Sequence, residues 1–331
     1  MRVSTAQIYD TGINGITRNQ AAMLKTQTQI TTGRRVLTPS DDPVASARAL
    51  VVTQSQQVNQ RYVENQGAAK DSLSFLENTL GSMTELMKNV IDRTVQAGNG
   101  TLGDAERQMI ARELRMRYDE LSALANTQDG EGNYIFSGFR TATQPFPTTP
   151  VGNAPTGSPV PGVVMPGVAV PPGATVYGGD DGRRELQVES SRVMTVSEPG
   201  SDIFVRIRDK SGAVTDESVF TSLGNFIAAL ETTPFDATTF NPAHDQALEN
   251  FYAALDNTSR IQTSVGARLA ELESLKSTAE DRDLQYQGTL SDLQDLDYAE
   301  AISTLSKQQI ILDAAQKSFM TITGLGLFNQ L

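Results

Sequence analysis

Two seven-residue apolar repeats, one near each end of the chain, constrain the fold more than any other feature of the sequence. The repeat near the C-terminus consists of Tyr298, Leu305, Leu312 and Phe319. The repeat near the N-terminus consists of Tyr9, Ile16, Met23, Ile30 and Leu37. A seven-residue interval places side chains in a narrow stripe on one side of an α-helix, and such a stripe requires a partner helix. We therefore expect the first and last helices to pair along these nine residues, which we call the terminal seam.

The distribution of charge also favours pairing of the two ends. Residues 1–37 hold five basic side chains and one acidic side chain, whereas residues 295–331 hold four acidic side chains and two lysines. Opposite net charges on two helices favour their association. The formal net charge of the whole chain is −12. This balance argues against nucleic acid or an anionic membrane as the main partner, because both select basic surfaces.

The residue types needed for most enzyme chemistry are missing from the sequence. There is no cysteine, which excludes disulfides, thiolate metal sites and cysteine nucleophiles. His244 is the only histidine, so histidine triads and two-histidine metal motifs are excluded, and we expect this residue at the surface near a helix start. Asp180, Asp181 and Glu185 could form a carboxylate pair for glycoside hydrolysis, but aspartates flanked by glycines are more typical of a solvated turn. The Asp-rich turn at residues 129–133 lacks the glutamate that closes a calcium loop. We predict no catalytic residues, no cofactor and no metal site.

Residues 32–43 form a joint between the first two helices. Gly33 can end one helix, and one of residues 40–42 can cap the next helix with Pro43 at its first position. The polar side chains of this joint either contact a neighbouring subunit or only cap and solvate the loop. The candidates for inter-subunit polar contacts are Arg34, Arg35, Asp41 and Asp42.

Apolar spacings that alternate between four and three predict a long second helix over residues 44–97. Its predicted core positions are Ala69, Leu73, Leu76, Leu80, Met83, Met87, Val90, Thr94 and Ala97. After a break at residues 98–100, a third helix with Asp104 as its cap should fold back antiparallel. A further long helix should begin after Pro242.

The composition changes sharply from Pro145 to Pro172, which hold nine of the 14 prolines and predict an extended linker. Short runs with strand character lie at residues 134–136, 175–177, 185–188, 192–196 and 203–207. A short amphipathic helix should then run from Phe220 to Leu230.

These patterns predict an α+β fold, in which both chain ends form a long antiparallel α-helical coiled-coil bundle with an inserted small β-rich domain. The predicted parts are a terminal helical hairpin (residues 1–43 with 295–331), a helical bundle (44–140 with 242–294) and an inserted β-rich outer domain (141–241).

Motifs at both ends of the chain, in matching order, resemble the flagellin family. They are QTQITTGRRVLTPSDDP at residues 27–43, QAGNGTL at 96–102, GNYIFSGF at 132–139, SVGARL at 264–269 and LDYAEA at 296–301. The resemblance covers residues 1–140 and 243–331. Residues 141–241 are not covered, and insertions there are the variable part of the family.

The segment PSDDP at residues 39–43 resembles the family members that join the flagellar hook to the filament, because filament flagellins tend to carry an Ala-Asp-Asp-Ala type sequence. The resemblance implies a structural adaptor whose copies form a ring at the hook–filament junction and template filament growth. Its implied partners are another hook-associated protein on the hook side and flagellin on the filament side. It also implies that the terminal helices order only on assembly, and that a cytoplasmic export chaperone binds Leu305 and Leu312 before secretion.

Residues 1–20 lack the charged and apolar segments of a signal peptide, and no stretch reaches the ~18–20 apolar residues of a membrane span. We therefore expect a protein that is cytoplasmic or that leaves the cell without a cleaved signal. The resemblance implies flagellar type III export and an extracellular location in the bacterial flagellum. One alternative is a minor filament flagellin. A second is a type III secreted effector, or a glycan-binding module in residues 141–241.

Overall fold

The structure, a computed structural model, describes residues 5–147, 177–207, 214 and 218–328. The helices in this part of the chain are α1 (Thr5–Thr32), α2 (Pro43–Ala97), α3 (Asp104–Ala125), α4 (Val219–Glu231), α5 (Ala237–Gln294) and α6 (Tyr298–Phe328). The strands are β1 (Glu185–Glu189) and β2 (Arg192–Thr195), and a short π-helix (Ser201–Val205) precedes α4. The described chain divides into a first unit, Met1–Gln60 with Ala279–Leu331, and a second unit, Arg61–Thr278.

In the first unit, α1 packs against α6, and the start of α2 packs against the end of α5. The side-chain amide of Asn59 donates to the carbonyl of Ala279 at 2.8 Å, and that of Gln56 donates to Asp283 at 2.9 Å. Residue numbers rise along α2 as they fall along α5, so the two segments run antiparallel.

The second unit contains the apolar core. All nine predicted core positions of α2 are buried, which confirms the alternation of four and three as a helix-packing pattern. The core continues through α3 with Leu114 and Leu121, and through α5 with Phe251, Val265 and Leu272. The predicted class is confirmed: an antiparallel helical bundle carries a small inserted β region.

The β region is an antiparallel hairpin of β1 and β2, as the runs at residues 185–188 and 192–196 predicted. Two side-chain amides of α2 hold it in place, because Asn65 donates to the carbonyl of Gln187 at 2.8 Å and Gln66 donates to that of Val188 at 2.9 Å. These bonds satisfy carbonyls of a two-stranded sheet that has few strand partners of its own.

The strand predicted over residues 203–207 is wrong, since residues 201–205 form the π-helix. A half-buried strand would expose Phe204, whereas Phe204 is 1% exposed, and its ring lies 5.3 Å from that of Phe136. Ile203 is also buried, so two consecutive side chains face the core, which strand alternation does not allow.

The strand predicted over residues 134–136 is also wrong, because only an isolated bridge joins Tyr134 to Gln128. The strand over residues 175–177 lies outside the described residues except for Tyr177. Most of the predicted proline-rich linker also lies outside them, since the description stops at residue 147 and resumes at 177.

Gly33 ends the first helix as predicted, because α1 stops at Thr32 and Gly33 adopts a left-handed φ of 70°, which favours glycine. Leu37 of the terminal seam therefore lies beyond α1. Two other predicted helix boundaries are wrong by a few residues. Asp104 is not a cap but the first residue of α3, and Gly103 before it donates its N–H to Glu106 at 2.6 Å.

The last long helix begins at Ala237 and not after Pro242. Asp236 caps it by accepting the N–H of Thr238 at 2.9 Å, and Phe240 in its first turn is 4% exposed. The packing of Phe240 therefore outweighs the helix-breaking tendency of the proline.

Candidate assembly site

An aromatic contact lies at one end of the terminal seam, near the start of α1 and the end of α6. The rings of Tyr9 and Phe319 meet edge to face with centroids 5.8 Å apart. A Cβ at Gly12 would lie 2.6 Å from the Phe319 ring, so a glycine is required where the aromatic ring crosses α1. The two terminal helices are therefore paired, with Tyr9 of α1 opposite Phe319 of α6.

At the other end of the seam, the backbone just after α1 pairs with the backbone just before α6. The N–H of Arg35 donates to the carbonyl of Gln294 at 2.7 Å, and the N–H of Leu296 donates to that of Gly33 at 3.0 Å. Arg34 and Asp295 consequently form an antiparallel bridge. No sequence pattern signalled this pairing, because it joins backbone groups that lie far apart in the chain.

Asp41 organises the joint that follows α1. Its carboxylate lies 2.6 Å from the ammonium group of Lys25 and accepts the backbone N–H groups of Leu37 and Thr38 at 3.1 and 3.0 Å. The hydrogen bond from Lys25, followed by the one from Thr38, lowers the pKa of Asp41 to about 2. The carboxylate thus remains charged and holds residues 37–41 in a closed turn.

Asp42 caps α2 by accepting the N–H of Ala45 at 2.9 Å, which also lowers the pKa of this carboxyl group. The guanidinium group of Arg35 lies 3.4 Å from the carboxylate of Asp42 and donates to the backbone carbonyl of Leu293 at 2.9 Å. The side chain of Arg34 is exposed and makes no hydrogen bond or ion pair with the described residues. Three of the four polar candidates therefore have partners within the chain, and only Arg34 is available to a neighbour without exchange of partners.

The side chains of the terminal seam are only partly covered. Tyr298 is 52% exposed, and the other eight are half-buried. This group includes Leu37, which lies in the joint beyond α1. The pairing of α1 with α6 therefore leaves part of every seam side chain accessible.

The first unit lacks a buried core of large apolar side chains within its described residues. Its buried apolar residues are Ala45, Ala49, Ala279 and Ala301. Its exposed large apolar residues are Ile13, Leu24, Val44, Leu50, Val51, Leu284, Tyr298, Ile302, Ile310, Ile311 and Met320, which range from 42% to 71% exposed. Exposed apolar residues at this density mark a surface for association with other chains.

His244 is half-buried, so its predicted position at the surface is wrong. Its Nε2 lies 3.1 Å from the carbonyl oxygen of Thr94, and its ring lies 5.9 Å from the ring of Phe240. The early start of α5 brings the imidazole into this aromatic environment. Its contacts are those of a residue that joins α5 to α2.

The two neighbouring aspartates are not simply a solvated turn. Asp180 accepts the backbone N–H groups of Phe139 and Gly182 at 2.8 and 2.9 Å. Asp181 accepts the hydroxyl of Ser201 at 2.6 Å and pairs with Arg206. Although burial opposes it, these two hydrogen bonds lower the pKa of Asp181. Both carboxylates are thus held in place by hydrogen bonds to neighbouring segments.

No group of three or more potential metal-ligating side chains occurs in the part of the chain that the structure describes. Asp129, in the turn considered for calcium, accepts the N–H groups of Glu131 and Asn133, each at 2.9 Å. None of the helices in the described ranges is long and apolar enough to cross a membrane.

The paired terminal helices and the joint between α1 and α2 are typical of a protein of the flagellin class. Residues 3–141 match the bacterial flagellin N-terminal helical region. The chain is 34% identical to flagellar hook-associated protein 3 of Escherichia coli strain K12, and the alignment covers 99% of both chains. It belongs to the flagellar hook-associated protein 3 family. It is accordingly a structural component of the bacterial flagellum and not an enzyme.

Solved structures support the same fold. A flagellar hook-associated protein from Vibrio parahaemolyticus has a TM-score of 0.63 with 24% sequence identity, covering 77% of this chain and 100% of its own. A flagellar junction protein from Legionella pneumophila has a TM-score of 0.58 with 19% identity, covering 75% and 100%.

Proposed function

We propose that copies of this chain form a ring at the hook–filament junction and template the growth of the filament. The ring would contact another hook-associated protein on the hook side and flagellin on the filament side. Membership of the hook-associated protein 3 family supports this role, and the similar Legionella pneumophila structure is that of a flagellar junction protein.

The observation that carries the proposal is the uncovered apolar surface of the first unit. Its described residues bury only alanines among apolar side chains and expose eleven large ones. Full burial of a large apolar side chain contributes about 1.5–3 kcal/mol. Since these side chains are about half exposed, burial of the rest of each one by another chain would contribute roughly 1 kcal/mol. Several such contacts per copy would contribute more free energy than the partly covered pair of α1 and α6 gains alone.

Ordering of the terminal helices on assembly follows from the same surface. The seam side chains stay partly exposed when α1 pairs with α6, and isolated helices are marginal in water without tertiary packing. Leu305 and Leu312 are half-buried beside α1, so a cytoplasmic export chaperone could bind them only when α6 is separate from α1. We propose that this separated state is the one exported through the flagellar type III channel and that pairing follows outside the cell.

The proposal assigns a place to each of the three predicted parts of the chain. Residues 1–43 with 295–331 would form the inner, assembly-ordered hairpin, and residues 44–140 with 242–294 would form the surrounding bundle. Residues 141–241 would face outward.

The first test is deletion of residues 298–331. We expect a chain whose second unit remains folded, with helical circular dichroism and cooperative melting, but which supports no filaments in a strain that lacks the native protein. Normal filament growth with this deletion would contradict the proposal.

A finer test replaces one exposed apolar residue of α6. Ile310 is 69% exposed, and its neighbour Gln309 is an exposed polar residue. Ile310→Ser should reduce the number of filaments per cell, whereas Gln309→Ser should not, because only the first removes apolar surface. Equal filament numbers for the two variants would show that this surface is not used.

The position of the protein separates the junction role from that of a minor filament flagellin. Immunogold labelling of the assembled flagellum should place the chain only at the end of the hook. Gold particles along the filament would instead support the flagellin alternative.

A further inference from the structure

A polar pocket of about 290 Å³ lies in the second unit, between the π-helix and the middle of α5. Its charged lining residues are Arg183, Arg206, Arg260, Arg268, Glu198 and Asp202. A cluster of four guanidinium groups is unusual in a chain whose net charge is −12. The terminal seam and its joint contribute no residue to this pocket.

Two of the arginines pair with one buried glutamate. The side chain of Glu198 is 6% exposed. One of its carboxylate oxygens lies 3.1 Å from a guanidinium nitrogen of Arg183, and the other lies 2.8 Å from a guanidinium nitrogen of Arg268. Arg183 also reaches Asp202 at 2.9 Å. Buried carboxylates paired in this way fix the directions of both guanidinium groups.

The other two arginines differ in their partners. Arg206 pairs with Asp181 and donates to the hydroxyl of Ser201 at 2.9 Å, and its buried Nε lies 3.6 Å from a carboxylate oxygen of Asp202. Arg260 donates to the side-chain oxygen of Asn257 and has no carboxylate partner among the described residues.

Asn257 holds Arg260 at the pocket. Asn257 is 3% exposed, and its amide donates to the backbone carbonyl of Asp202 at 2.8 Å. The exposed guanidinium of Arg260 is thus anchored by a buried side chain that connects α5 to the π-helix. π-Helical turns are rare and are often found at functional sites.

The balance of charge around the pocket indicates the type of ligand. Four guanidinium groups face three carboxylates, namely those of Asp181, Glu198 and Asp202, which leaves one positive charge uncompensated. A singly charged carboxylate would neutralise it and can accept two parallel hydrogen bonds from one guanidinium group. A phosphate, with up to two negative charges, would bring excess negative charge toward Glu198 and Asp202.

We propose that this pocket binds the carboxylate of an acidic side chain in a protein segment from outside the second unit. Arg260 would make the contact through its guanidinium group, which is the only one of the four without a carboxylate partner among the described residues. The assignment is independent of the junction role, because a chain that failed to reach the junction would retain the same pocket.

The test measures binding of a short acidic peptide to the full-length chain by NMR. The probe is the blocked tripeptide acetyl-Glu-Glu-Glu-amide, and its neutral counterpart is acetyl-Gln-Gln-Gln-amide. We expect the acidic peptide to shift the guanidinium N–H signals of Arg260 in a saturable manner. Arg260→Gln should weaken binding by about five-fold or more, the loss typical of a charge-assisted hydrogen bond.

Arg112→Gln is the matched control, because Arg112 is an exposed arginine on α3 without an ion pair among the described residues. Ser264→Asp is a second variant that places a carboxylate in the pocket lining and should abolish binding. Unchanged melting temperatures would show that each variant is folded.

Three results would overturn the assignment. They are equal binding of the acidic and neutral peptides, equal affinity of the Arg260→Gln and Arg112→Gln variants, or tighter binding of inorganic phosphate than of the acidic peptide at these signals.

Discussion

Leu80 and Leu50 lie on the same helix, α2, but the same substitution should affect two different properties of the protein. Leu80 is 0% exposed in the core of the second unit, whereas Leu50 is 71% exposed in the first unit. Leu80→Ala removes buried apolar volume and should cost about 2–5 kcal/mol of unfolding free energy. Leu50→Ala should change that free energy by less than about 0.5 kcal/mol.

The expected shift in melting temperature follows from the size of the second unit, which spans Arg61–Thr278. For a domain of this size, about 3 kcal/mol corresponds to a decrease of roughly 6–12 °C. Thermal melts followed by circular dichroism at 222 nm should show this decrease for Leu80→Ala and almost none for Leu50→Ala.

In filament assembly, Leu50→Ala should have a large effect although it hardly changes the melting temperature. Loss of the Leu50 side chain removes about 1–2 kcal/mol of apolar contact per copy, or roughly a 5- to 30-fold change in the association constant. Counting filaments per cell at matched protein levels measures this effect. The reasoning fails if Leu50→Ala lowers the melting temperature as much as Leu80→Ala does, or if filament numbers stay normal.

Two further predictions concern the joint and the start of α5. Because the pKa of Asp41 is lowered from 3.8 to about 2, its ionised form stabilises the fold above pH ~4, and this contribution is lost as the pH falls through about 2. Lys25→Gln should raise the pKa of Asp41 toward its ordinary value, measured by NMR titration of the carboxyl carbon, and an unchanged titration would contradict the assigned contact. Pro242→Ala should stabilise the second unit by about 1–2 kcal/mol in urea unfolding, because a restored bond to the carbonyl of Thr238 outweighs the ~0.4–1 kcal/mol entropic benefit of proline. Reduced stability would show that the proline is accommodated without strain.

The parts of the fold that follow from periodic packing could be predicted from the sequence. The positions from Ala69 to Ala97 recur at a helical interval, and every one is buried. The pairing of α1 with α6 could be predicted for the same reason. Periodicity averages over many residues, so a single exception does not obscure it.

The parts that depend on one local contact could not be predicted in this way. Phe204 enters an aromatic cluster and thereby turns an apparent strand into a π-helix. Phe240 draws five residues before Pro242 into α5. The charged pocket was also missed, because Arg183, Arg206 and Arg260 come from separate segments and form no motif in sequence.

The backbone bridge between the two helix breaks determines how α1 and α6 can align. A stripe that repeats every seven residues can match its partner again after a shift of one repeat, which is about 10 Å along the helix. The bonds from Arg35 to Gln294 and from Leu296 to Gly33 exist in only one of these alignments. Each copy that pairs its ends therefore has the same offset between α1 and α6. Identical subunits then present the same pattern of side chains along this helix pair.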